Sequence, residues 1–191
     1  NLHIIDNSVD FEDKMTRGLR AVYECLGEKA PEQHWHKYLI DLPDLRALET
    51  LYAAAGVDMM QTYLRPTSPQ IVRRVRQQRN GAEYLYFYTE KHITPEREWE
   101  TERPITGKEY VQYLMEGDPS LRAVHKTKYR FHYAEQRMEI DVYPFSAEHA
   151  ILRAALEDGQ PLQTPPEIRV LREVTGDPAY KNRALARTQE L

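Results

Sequence analysis

From Trp35 onward the chain breaks into stretches of strand length, 35–40, 60–64, 70–77, 83–91, 98–103, 124–133, 136–143 and 150–156, in which polar residues alternate with apolar or aromatic ones. A period of two marks a pleated strand, whose successive side chains leave by opposite faces. No other feature restricts the fold as strongly. Two of the joints, Asn80-Gly81 and Ala134-Glu135, are too short for a crossover, so the strands flanking them run antiparallel. Helical spacing interrupts the pattern at Leu42 to Ala55, where Asp41 is placed to cap, Leu45, Leu48 and Leu51 form the apolar stripe, and Gly56 ends the run. A second helix opens on the capping box Thr106-Gly-Lys-Glu109 and turns Tyr110, Tyr113 and Leu114 inward. A third, Asp177 to Arg187, has Pro178 in its first turn. The expected fold is α+β: an antiparallel barrel of about eight strands, closed or nearly so, with flanking helices.

The start of the chain reads differently. Leu2 to Ile5 suits a short strand, and Phe11, Met15, Leu19, Val22 and Leu26 then recur at helical spacing until Gly27. A lone strand and helix has little sheet to join, so residues 1–30 read as a remnant of a different unit and 31–191 as the main domain. The length of 191 residues suits one core. No apolar run reaches the ~18 residues of a spanning helix, and Cys25 is the single cysteine, which suits a reducing compartment; a soluble, cytoplasmic protein is expected. A net charge of −4 disfavours nucleic acid as a partner, because non-specific binding to it rests on a broad positive surplus. Any phosphate site must therefore concentrate positive charge locally.

Strand alternation does concentrate it. Arg74 and Arg76 share one face of their strand, and Lys126, Lys128 and Arg130 share one face of theirs, while Lys37 and Lys91 each sit at the end of an aromatic-rich strand. Carboxylates follow the same rule: Glu98, Glu100 and Glu102 form one row, Glu139 and Asp141 another. The ordinary meaning of such rows is a solvent face. Tyr84, Tyr86 and Tyr88, alternating with Leu85, Phe87 and Thr89, argue otherwise, since neither face of that strand is simply wet. A barrel interior lined by several cations beside a few carboxylates suits a polyphosphate: lysines and arginines pair with phosphoryl oxygens, and carboxylates hold a bridging divalent metal. His34 and His36 lack a third ligand nearby and read as surface residues.

The run Arg172-Glu-Val-Thr-Gly-Asp-Pro-Ala-Tyr-Lys-Asn-Arg-Ala-Leu-Ala186 resembles the closing signature of the CYTH domain, the triphosphate tunnel fold of adenylyl cyclases and thiamine triphosphatases. The resemblance runs back, in the family's order, through Glu139-Ile-Asp141, Lys126-Thr-Lys128, Glu98 to Ile105, Thr89-Glu-Lys91 and Arg74-Val-Arg76, and covers roughly Trp35 to Ala186. It implies a phosphate-binding set of Lys37, Arg74, Arg76, Lys91, Lys126, Lys128 and Arg130. It implies metal ligands among Glu100, Glu102, Glu139 and Asp141, with Mg²⁺ or Mn²⁺ as cofactor. The opening, Ile4 to Met15 and then Leu26-Gly27, resembles the last strand and helix of the P-loop NTPase domain that precedes CYTH in two-domain AAA-type ATPases, which makes such a domain an expected partner. No GxxxxGK[ST] occurs.

Departures from the family pattern bear on the metal. Its opening Glu-x-Glu-x-Lys is here Gln33, Trp35 and Lys37, and two glutamates of a late strand are here Arg153 and Ala155. Exchanging carboxylates for Arg and Ala removes hard oxygen ligands and adds a cation. The expected function is thus a degenerate CYTH-like domain that binds a phosphorylated small molecule or lipid headgroup, such as a nucleoside triphosphate, tripolyphosphate or phosphoinositide. The alternatives are an active Mg²⁺- or Mn²⁺-dependent triphosphatase and a structural docking domain for a P-loop ATPase.

Overall fold

The structure, a computed structural model, describes residues 33–191. The expectations for the strand at Leu2 to Ile5, the helix after it and Cys25 lie outside the described residues. Among the described residues, nine strands form one antiparallel sheet: β1 (Gln33–Asp41), β2 (Gly56–Tyr63), β3 (Ile71–Asn80), β4 (Glu83–Ile93), β5 (Glu98–Ile105), β6 (Val124–Tyr133), β7 (Gln136–Val142), β8 (His149–Glu157) and β9 (Val170–Glu173). Their spatial order is β5-β4-β3-β2-β6-β7-β8-β1-β9. All eight strands expected from alternation are present. The ninth is the short β9, whose Val-Leu-Arg-Glu is too brief to show a period; it exists because β1 leaves a free edge beside β8, and it pairs there through Tyr38 and Leu39.

The expected closed barrel is corrected to an open sheet. Its ends, β5 and β9, do not pair with each other. The last residues of the chain are used otherwise: a 3₁₀ turn at Pro178–Tyr180 and helix α3 (Asn182–Thr188) send Tyr180, Leu185 and Ala186 into a cluster with Leu39, Tyr63, Val124 and Ile151. Burying those apolar side chains on the sheet covers one end of its inner face without a closing strand. The single C-terminal helix expected from the sequence is therefore two short pieces, the first capped by Asp177.

The opposite, outer face carries the larger apolar cluster. Tyr38, Ile40, Tyr129, Phe131, Met138, Ile140, Leu152 and Ala154 pack there under Leu48 of α1 (Leu45–Tyr52). That helix is shorter than expected, and Asp44 rather than Asp41 caps it, by accepting from the backbone N–H of Arg46 and Ala47; Asp41 belongs to β1. Helix α2 (Gly107–Leu114) has the full capping box between Thr106 and Glu109. Tyr110 is buried against Tyr88 and Val75 and Tyr113 stacks on Tyr88, whereas Leu114 faces outward. The β6–β7 hairpin turns through Ala134 and Glu135, both at positive φ (47° and 62°), the two-residue form whose twist matches the strands.

Candidate functional site

Register alone gathers the charged rows onto the inner face. Lys37 lies opposite Arg153, Arg153 opposite Glu139, and Glu139 opposite Arg130, which makes one line across β1, β8, β7 and β6. The next line runs Leu39, Ile151, Asp141, Lys128. Lys126 is two residues on along β6, opposite Met59 of β2. Further along, Gln61 faces Arg76 and Tyr63 faces Arg74; Arg74 faces Thr89, Thr89 faces Glu102, and Lys91 faces Glu100. Paired residues in an antiparallel sheet point the same way, so every cation and carboxylate expected at the site shares one face.

The floor of this face is buried. Lys126 and Lys128 are 7% and 6% exposed, Glu139 9% and Asp141 3%, values rare for charged groups unless they are paired. Lys126 Nζ donates to Asp141 Oδ2 at 2.6 Å. Lys128 donates to Glu139, which also accepts from Arg153 Nη1 at 2.7 Å and from Arg130 Nε at 3.2 Å. The walls are more open: Arg74 Nη2 reaches Glu100 at 2.6 Å, Arg76 Nη2 reaches Glu102 at 2.9 Å, and Lys91 Nζ lies 2.5 Å from Glu98. Thr89 Oγ1 donates to the other oxygen of Glu102.

Around Glu139 and Asp141 stand Lys37, Lys126, Lys128, Arg130 and Arg153, five cations against two carboxylates. The carboxyls carry the sign of that excess. Burial pushes the Asp141 carboxyl up, yet Lys126 and Lys128 overcome it and hold it at about 2. Glu139 is likewise held low by Lys128 and Arg153 against the effect of burial. Lys126 itself is lowered to about 8, first by burial, with Lys128 and Arg153 adding to it against the pull of Asp141. Burial and Arg153 lower Lys37 in the same sense. The low carboxyls report the cations beside them, and the low lysines report chiefly their burial.

Unpaired atoms point to the same excess. Among the described residues, the buried donors without an acceptor are Nε of Arg76, Arg137, Arg153 and Arg183 and Nε2 of Gln61, whereas Asp141 Oδ1 is the single buried side-chain acceptor in that state. A buried N–H without a partner is costly. Five such donors on or beside one face make a surface that wants acceptor oxygens, and phosphoryl groups supply them.

A divalent metal fits this donor set poorly. Among the described residues no three His, Cys, Asp or Glu side chains converge as metal ligands would. Glu100 and Glu102 accept from Arg74 and Arg76, and Glu139 and Asp141 accept from the lysines and Arg153. An incoming dication would have to strip charge-assisted bonds from the carboxylates while sitting beside the ammonium and guanidinium groups that made them.

Neither a family model nor a curated protein sequence matches the chain. Solved structures do. The structure of NE1496, described as an inorganic triphosphatase, is 26% identical over 83% of this chain and 97% of its own, with a TM-score of 0.58. A second structure of NE1496, described as a hypothetical protein, gives 28% identity over 82% and 98% with a TM-score of 0.57. The chain carries a CYTH-like domain. The match spans nearly all of NE1496. No helix among the described residues is long and apolar enough to cross a membrane.

Arg137 and Arg183 are absent from the site expected from the sequence. Arg137 precedes Glu139 by two on β7 and faces the same way; alternation alone identifies it. Arg153 was legible as a departure from the family pattern, but its bond to Glu139 depends on the β7–β8 register. Arg183 of α3, which acts with Arg74 on the buried Tyr63 hydroxyl, had no signal, because α3 reaches this face only through tertiary packing.

Proposed function

We propose that the CYTH-like domain binds a polyphosphorylated ligand on the inner face of its sheet, with Lys37, Arg74, Arg76, Lys91, Lys126, Lys128 and Arg130 as the phosphate-binding set and Arg137 and Arg153 joining them. The observation that carries the reading is the inventory of orphans, five buried N–H donors against one acceptor, beside five cations gathered around the two carboxylates Glu139 and Asp141. Arginine and lysine divide the work by geometry. The buried ammonium groups of Lys126 and Lys128 supply compact charge at the floor, and the guanidinium groups of Arg74, Arg76, Arg130 and Arg153 present planar forks that suit two phosphoryl oxygens at once. On ligand arrival the wall pairs Arg74–Glu100 and Arg76–Glu102 exchange a carboxylate for a phosphate, and the freed glutamates return to water at little cost because they are already exposed. A nucleoside triphosphate, tripolyphosphate and a phosphoinositide headgroup share this chemistry.

Titration calorimetry with tripolyphosphate tests the reading. Binding is expected, weakening as salt screens the charge pairs. Arg76→Ala should reduce affinity at least tenfold, since a desolvated charge-assisted pair contributes ~1.5–3 kcal/mol. Failure to bind tripolyphosphate, a nucleoside triphosphate or a phosphorylated inositol would end the proposal. A second reading, hydrolysis of the triphosphate, is favoured by the likeness to the inorganic triphosphatase NE1496. Phosphate release from tripolyphosphate that is lost in Glu139→Gln, while binding persists, would establish it.

A further inference from the structure

Trp35 and Arg153 stand where the resembled pattern calls for carboxylates, and the structure puts them in contact. The guanidinium carbon of Arg153 lies 4.5 Å from the centre of the Trp35 ring, and that of Arg137 lies 4.7 Å from the same ring. Arg153 Nη1 donates to Glu139 Oε2 at 2.7 Å, and the same oxygen accepts from Lys128. The Nε atoms of Arg153 and Arg137 are buried and without acceptors. One cation is therefore fixed by stacking on an aromatic ring and by a carboxylate, with a donor left over.

We infer that the Arg153 guanidinium, clamped between Trp35 and Glu139, supplies the positive charge at the centre of the inner face that a divalent cation would otherwise bring, and that polyphosphate binds here without a metal. This rests on the polyphosphate-binding reading. A metal ion balances the charge of a triphosphate and fixes its oxygens. Arg153 does the first with its charge and the second with a plane that Trp35 orients. Arg153 and Lys128 both donate to Glu139, and Lys126 donates to Asp141, so the two central carboxylates are occupied by cations of the protein itself. The ammonium groups of Lys37, Lys126 and Lys128 would repel a dication before the ligand arrived.

Two measurements on the full chain decide it. Calorimetry with tripolyphosphate in EDTA should give binding at least as tight as in millimolar Mg²⁺ or Mn²⁺, because the free metal competes for the ligand. Electron paramagnetic resonance of Mn²⁺ alone should show the free-ion signal undiminished by protein. Arg153→Lys, which keeps the charge but not the plane, should weaken metal-free binding about three- to tenfold with an unchanged circular dichroism spectrum. Trp35→Glu with Arg153→Glu should abolish metal-free binding and make the Mn²⁺ signal fall on addition of protein. Tightening of wild-type binding more than threefold by Mg²⁺ or Mn²⁺, loss of the Mn²⁺ signal with the wild-type chain, or wild-type affinity in Arg153→Lys would overturn the inference and leave polyphosphate binding intact. Absence of binding both with and without metal would instead strike the binding reading itself, and the Mn²⁺ signal would still report on the metal.

Discussion

At the scale of residues, the buried charges of the inner face and the turn that presents them carry separable costs. Asp141 is the acceptor for Lys126 and lies 3.6 Å from Lys128. Asp141→Asn leaves the Lys126 ammonium buried without a counter-charge, while Lys128 keeps Glu139, and should lower unfolding free energy by about 3–5 kcal/mol in urea titrations. Glu100→Gln, at the partly exposed pair with Arg74, should lower it by less than about 1 kcal/mol. An equal loss in both would mean that Asp141 is not the hub of the floor. The β6–β7 turn offers the reverse effect. Ala134 and Glu135 both occupy the left-handed region, which L side chains enter only at a cost. Replacing them with Asn and Gly, the pair this turn favours, should stabilise the chain by roughly 1 kcal/mol. A rise in melting temperature with an unchanged spectrum checks this.

At the scale of elements, α2 and α3 look alike in length but differ in what they cover. Leu185 of α3 is 1% exposed among Leu39, Tyr63 and Ile151, and it stands where a closing strand would otherwise shield the sheet. Leu185→Ala should therefore cost about 2–5 kcal/mol, the range for a buried leucine truncated without collapse of its site. Val111 of α2 is 61% exposed, and Val111→Ser should change stability by less than about 0.5 kcal/mol. A small loss at Leu185 in urea titrations would show that α3 only rests on the inner face.

At the scale of the molecule, the cations gathered around the buried carboxylates predict two pH dependences of different kind. Asp141 has a folded-state value near 2 against an ordinary 3.8, so its contribution, on the order of 2 kcal/mol, is complete above pH 4 and is lost as pH falls through 2. Glu139, also depressed, acts in the same direction, and the urea midpoint should drop across that window. Lys126 sits near 8 instead of 10.5. Below pH 8 it is charged and ready to pair; as pH rises through 8 the free protein loses that charge. A bound polyanion raises the lysine back toward its ordinary value, so binding at pH 8 should take up roughly half a proton. Calorimetry in two buffers of different ionisation enthalpy measures the uptake, and proton release would contradict the assignment of Lys126 to the site.

The alternation in the sequence determined eight of the strands and the face on which each charge lies, because a period of two is a local property of the backbone; the turn residues marked the Ala134-Glu135 joint and put the other at Asn80-Gly81, one residue before the observed Gly81-Ala82. Local chemistry likewise placed the Thr106 capping box. It could not determine β9, whose four residues show no period and pair only because β1 leaves an edge. The open sheet, too, was decided by tertiary structure: Tyr180 and Leu185 gain more by burial on Leu39 and Ile151 than any intrinsic preference near them could specify. The site divides in the same way. Sequence named Lys126, Lys128, Glu139 and Asp141 as neighbours along their strands. Only the register of β1, β8 and β7 brought Trp35, Arg153 and Glu139 together, since contact across strands depends on how they align, and no short stretch of chain encodes that.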